Sequence, residues 1–193
     1  MIRCSCALLC LVLSSCGDEV GVTPEQVAPP RTEAVAARAE DPAERFCDAS
    51  APLGQGLALA LPATEGAALA TGGWRWINVW ATWCHPCVDE MPLISTWPAR
   101  LAQDHAPVSL SFLSVDQTAE EVTTFRAAHP EMPESARLTD PGGQAALLAA
   151  IGLTAGAIPI HVLVDPTSHI RCVRTGSLGE RDYDTLRDIL RAD

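Results

Sequence analysis

The chain has 193 residues, 48% of them hydrophobic, enough for one globular core with extensions at its ends. Its formal net charge of −11 argues against a nucleic-acid-binding surface, which needs a basic face. The five histidines show no HxxxH or HExxH spacing and no second CxxC exists, so neither a metal nor a cofactor is expected.

Residues 1–15 read as a short secretory signal. Arg3 supplies the positive start, and Ala7 to Leu13 an apolar centre too short to span a bilayer. Leu13-Ser14-Ser15-Cys16 resembles the bacterial lipobox, in which the Cys becomes the lipidated first residue after cleavage; an ordinary signal cut near small residues is the alternative. Residues 16–45 then form a tether rich in Pro, Ala and Glu, with too few large apolar side chains to offset the entropy of ordering. The folded domain is expected over 46–193, beginning near Phe46. Cys4, Cys6 and Cys10 would leave with the signal and Cys16 would carry lipid. Cys47, Cys84, Cys87 and Cys172 remain, and four thiols in an oxidising compartment allow three full pairings.

Leu57-Ala58-Leu59-Ala60-Leu61 alternates like a strand that Pro62 ends, and Gly72-Gly73 makes a turn. Arg75 to Ala81 is the central strand. It leads into Trp83-Cys84-His85-Pro86-Cys87 and a helix that contains Pro92 and meets a second breaker at Pro98; either the helix ends near Trp97 or it bends twice. A CxxC at a strand-to-helix junction has a specific chemical use. The unpaired N–H groups of the helix N-terminus favour an anion, which makes Cys84 the thiolate nucleophile. Cys87, one turn further in, attacks the mixed disulfide and releases the partner. Half of a zinc site would need a second ligand pair, and a purely structural bridge across so short a loop would add little stability.

Val108 to Val115 is the next strand. Thr118-Ala119-Glu120-Glu121 has the form of a capping box and starts a helix ending by His129-Pro130. A short strand is expected near Ala136–Thr139. Asp140-Pro141 then offers an N-cap and a first-turn Pro to a helix carrying Leu147, Leu148 and Ile151, closed by Gly152. Ile160 to Val164 is a strand, Asp165 to Ser168 a turn, and Ile170 to Thr175 an antiparallel return. Tyr183, Leu186, Ile189 and Leu190 make a last amphipathic helix. The alternation gives an α/β sandwich with a mixed sheet.

The stretch from Asn78 to Pro92 is similar to the thioredoxin superfamily. Within it, the stretch resembles the TlpA/ResA-like membrane-anchored thiol-disulfide oxidoreductases, which read N-F-W-A-T-W-C-x-P-C-x-x-E-x-P; only Val79 departs from that pattern. The resemblance spans roughly residues 53–193. It implies a thioredoxin-like three-layer sandwich with a mixed central sheet, an N-terminal hairpin and a central helix-strand insertion. It implies a cis bond before Pro159, with the Ile158 backbone pairing with an extended partner segment, although Ile160-His161 replaces the small hydroxyl residues usual there. Trp83 would shield the site. Glu90 matches the branch's Glu, so proton transfer with Cys87 stands beside the plainer reading of a solvated helix carboxylate. Asn78 replaces thioredoxin's buried Asp and cannot take a proton. A cationic His85 next to Pro86 would stabilise the Cys84 thiolate, or would merely fill the loop; His161 reads as a packing residue.

The implied function is dithiol-disulfide exchange with cysteines of protein partners, mostly reductive, as in cytochrome c maturation or reduction of copper-site apoproteins. Electrons would come from a CcdA- or DsbD-like membrane donor, with the domain held by its lipid on the periplasmic or outer side. A disulfide-forming oxidase and a copper(I) chaperone are the rival readings. If Cys84 pairs with Cys87, Cys47 and Cys172 are left for each other. A few members of the branch carry a second, structural disulfide from the N-terminal segment to the late sheet; two unrelated thiols are the alternative. Bridging requires Cα atoms within about 7 Å.

Overall fold

The computed structural model describes residues 40–140 and 142–192. The expectations for residues 1–15, for Cys16 and for nearly all of the tether lie outside them. No helix of the described residues is long and apolar enough to cross a membrane.

The fold begins before Phe46. Helix α1 spans Pro42–Phe46, with the Asp41 carboxylate accepting the Ala43 N–H at 2.9 Å and Pro42 in the first turn. Ala43 and Phe46 are buried in the main core. Arg171 donates to both Asp41 oxygens at 2.5 Å, so residues 41–45 belong to the folded domain rather than the tether. Burial pushes the Asp41 carboxyl up, but the Ala43 N–H and the Arg171 guanidinium outweigh it and leave the group below its ordinary range.

One seven-stranded sheet organises the rest. Its strands are β1 Ala49–Ser50, β2 Thr64–Gly66, β3 Arg75–Trp80, β4 Ser109–Ser114, β5 Ser135–Leu138, β6 Ile160–Val164 and β7 Ile170–Thr175, in the spatial order β1-β7-β6-β3-β4-β5-β2. β3, β4 and β5 run parallel; β6, β7, β1 and β2 pair antiparallel to their neighbours. The helices are α2 His85–Ile94, α3 Trp97–Gln103, α4 Ala119–Ala128, α5 Gly143–Ala150 and α6 Tyr183–Arg191. Inward residues of β3 alternate strictly. Trp76 and Trp80 join the core under α2, α3 and α6, whereas Ile77 and Val79 join the one under α5.

Three local expectations are corrected. The N-terminal hairpin is absent: β1 and β2 lie at opposite edges of the sheet, and Leu57 to Leu61 contributes only a bridge between Ala58 and His169. Leu59 donates to the Ser168 carbonyl and Leu57 accepts from Ile170, so the run leans on the β6–β7 turn and finds no further partner before Pro62. The helix after the CxxC ends at Ile94, and Pro98 sits in the first turn of α3, where its missing N–H costs no hydrogen bond. Helix α5 starts at Gly143, later than Asp140-Pro141 suggests. The Asp140 carboxylate instead accepts the Gly142 N–H and closes a turn before the helix. The capping box at Thr118 forms as read, with the Thr118 side chain and the Glu121 carboxylate each accepting the other's N–H.

Candidate active site

Strand β3 ends at Trp80 against β4 and β6, and the turn after it carries the cysteines onto α2. That turn is anchored from below. The buried Asp116 carboxylate accepts from the Thr82 N–H at 3.0 Å and from its hydroxyl at 2.8 Å, and Ser114 Oγ donates to it as well. Cys84 is the N-cap of α2, and its sulfur accepts the Cys87 N–H at 3.3 Å, the place of an anion at a helix N-terminus. Cys84 and Cys87 form a disulfide with Cα atoms 5.3 Å apart. Cys84 is 5% exposed and lines the surface groove, whereas Cys87 is fully buried and does not.

The outer rim is a groove of about 330 Å³ lined by Trp83, Cys84, His85, Pro86, Ala157 and Ile158 among others. The Ile158-Pro159 bond is cis. Trp83 stands 61% exposed and also borders a second groove toward Phe125. It forms a wall between two concavities rather than a cover over the disulfide. His85 and Pro86 are exposed at the start of α2. A larger concavity, about 720 Å³, lies between α4 and the β2 edge but contains no cysteine, so the candidate site is the smaller groove.

Beneath the disulfide lies a polar cluster on the inward face. Glu90 follows Cys87 by one turn of α2, on the same side of the helix. It is 4% exposed, which rules out the solvated-carboxylate reading. Its Oε1 accepts from Asn78 Nδ2 at 2.8 Å, and its Oε2 from the Leu178 N–H at 2.7 Å. His161 is 1% exposed, with Nε2 3.4 Å from Glu90 Oε1, and Trp76 Nε1 donates to its Nδ1 at 3.2 Å. The packing role read for His161 therefore understates its contacts. Asn78 and His161 are directly paired on β3 and β6, so their side chains emerge on one face. The signal for this cluster was a polar residue at an inward position of each of two apolar strands; such groups need a partner.

At the far edge, Cys47 and Cys172 form a second disulfide with Cα atoms 5.5 Å apart, tying the end of α1 to β7. Among the described residues, no group of three or more His, Cys, Asp or Glu could hold a metal ion.

No family model matches the chain. It is 25% identical over 117 residues to the thioredoxin-like protein YneN of Bacillus subtilis, a match covering 58% of this chain and 62% of YneN, less than two thirds of that relative's length. Among solved structures, a thiol-disulfide isomerase from Corynebacterium glutamicum superposes with a TM-score of 0.55 at 16% identity, covering 72% of this chain and 98% of its own. A thioredoxin-like protein from Porphyromonas gingivalis does so at 0.52 and 22%, covering 70% and 92%. The thioredoxin domain of a Bacteroides vulgatus thiol-disulfide oxidoreductase does so at 0.50 and 15%, covering 69% and 97%. The chain has the thioredoxin-like fold. In this thioredoxin-like domain, the CxxC at the end of β3 and the cis bond before β6 come from segments more than seventy residues apart and meet at one groove.

Proposed function

We propose that this protein is a thiol-disulfide oxidoreductase acting on cysteines of protein partners. One observation carries the reading: Cys84 caps α2 with its sulfur on the Cys87 N–H, in a groove walled by Trp83 and Ile158. In the reductive direction, the Cys84 thiolate attacks a partner disulfide and one partner thiolate leaves. Cys87 then loses its proton and attacks the Cys84 sulfur. The intramolecular disulfide forms, the mixed disulfide breaks, and the second partner thiolate leaves with the electron pair. Glu90, one turn from Cys87 and held by donors alone, takes that proton as a carboxylate. Ile158 offers extended backbone to the partner segment.

The resemblance to envelope reductases supports a reducing role, in cytochrome c maturation or on copper-site apoproteins, with a CcdA- or DsbD-like membrane donor. The Leu13-Ser14-Ser15-Cys16 stretch supports a lipid anchor that leaves the domain outside the cytoplasm. Titration of the Cys84–Cys87 couple in glutathione buffers tests the direction. A midpoint near that of thioredoxin, about −270 mV, fits a reductant, and one near −120 mV makes the protein an oxidase. Loss of acyl label in Cys16→Ala tests the anchor; a labelled variant contradicts it.

A further inference from the structure

The Glu90 cluster contains a group that the exchange chemistry has not used. His161 is a buried imidazole on β6, and its Nδ1 lies 3.2 Å from the Trp76 indole nitrogen. An indole N–H can only donate, so Nδ1 must be the acceptor and carry no proton. The neutral ring then holds its proton on Nε2, the atom 3.4 Å from Glu90 Oε1. A proton on Nδ1 would face the indole N–H. Nε2 makes no hydrogen bond in this geometry, and Glu90 Oε1 at 3.4 Å stands within ion-pair distance of it.

We infer that His161 is a positioning residue for Glu90: Trp76 fixes its tautomer, which puts the ring proton on the nitrogen 3.4 Å from Glu90 Oε1, beside the carboxylate that accepts the proton of Cys87. The inference rests on the reading of Glu90 as the base in the resolving step. Glu90 accepts hydrogen bonds from Asn78 on β3 and from the Leu178 N–H after β7, and His161 on β6 lies beside it at 3.4 Å. Asn78 and Leu178 cannot titrate. The nearest further cation by strand register is Arg174, opposite His161 on β7; it turns away to the Phe46 carbonyl and ring. At metal sites, losing the partner that fixes a ring and its tautomer typically costs about 10–100-fold, and an effect of that order is expected of a group one atom removed from the proton transfer.

The test uses the reduced protein and dithiobis(nitrobenzoate) in a stopped-flow instrument. Cys84 attacks the reagent and releases one thionitrobenzoate in a concentration-dependent phase. Cys87 then transfers its proton to Glu90 and attacks Cys84, releasing the second thionitrobenzoate in a phase independent of reagent. We expect Glu90→Gln to slow the second phase by about 100-fold or more and leave the first unchanged. His161→Leu slows the second phase about 10–100-fold, and His161→Gln, which keeps a donor at the ε position without an imidazole, restores it to within about threefold. If Glu90→Gln is slow but His161→Leu matches the wild type, the inference about His161 is wrong while the base assignment stands. If Glu90→Gln is as fast as the wild type, the base assignment itself is wrong. The wild-type ring gives a second check should His161→Leu not fold: nitrogen-15 shifts must show a bare Nδ1 and a protonated Nε2, and the opposite tautomer overturns the inference.

Discussion

Removing the Cys47–Cys172 bridge has the largest calculable effect on this domain. The bridge joins residues 125 apart in sequence. The chain-entropy relation for a loop of that size gives about 5 kcal/mol at 25 °C, held as a constraint on the unfolded chain. Typical domains have only about 5–15 kcal/mol in total, so the bridge accounts for a large part. The native state has other ties across the same edge. Arg171 clamps Asp41, Arg174 donates to the Phe46 carbonyl, and Asp48 accepts from the Thr175 N–H and hydroxyl. The Cys47→Ala/Cys172→Ala variant should therefore fold to the same structure with its CxxC intact. In urea, with a slope of about 1–3 kcal/mol per molar, its midpoint should fall by about 2–5 M relative to the oxidised wild type. Thiol exchange at Cys84 should be unchanged in native buffer. A loss below about 1 kcal/mol would refute the entropic reasoning.

Three further outcomes follow from single groups. Asp48 sits below its ordinary range because the Thr175 N–H and then the Thr175 hydroxyl bind its anion. Its folded value lies below its unfolded one, so its stabilisation is complete above about pH 4 and is lost as pH falls through the folded value. The urea midpoints of wild type and Asp48→Asn should differ at pH 7 and converge in acid; a constant gap contradicts this. Tyr183, the chain's single tyrosine, is pushed up to about 12 by burial and by its hydrogen bond to Asp104. Phenolate should amount to no more than about a tenth at pH 11 while the protein is folded, and appear earlier in Asp104→Asn. Trp83→Ala removes an exposed wall and should change stability by less than about 0.5 kcal/mol, yet slow exchange with a protein disulfide on the order of tenfold, or about 1.4 kcal/mol; equal rates would remove Trp83 from partner binding.

The cysteine pair, the strand before it and the capping box were legible because each is a local pattern with a local cause. The bond before Pro159 was readable only by its place in a resembled pattern. What stayed hidden depended on pairing. The Leu57–Leu61 run alternates as a strand should, but strand character needs a partner along its length, and the chain supplies one only near Ser168 to Ile170. Asp41-Pro42 is a helix start by residue type, masked by the Pro- and Ala-rich composition before it; Arg171, 130 residues away, makes it part of the fold. Glu90, Asn78 and His161 each look ordinary alone. Their meaning appears when β3 and β6 pair Asn78 with His161 and α2 lays Glu90 across them.

The central claim is that Cys84 attacks and Cys87 resolves. Cys87→Ser, expressed in full-length form and isolated under acid quench with thiol alkylation, tests it most directly. Mixed disulfides between Cys84 and partner proteins should accumulate, vanish on reduction and be absent in Cys84→Ser. Adducts in Cys84→Ser with none in Cys87→Ser would contradict it.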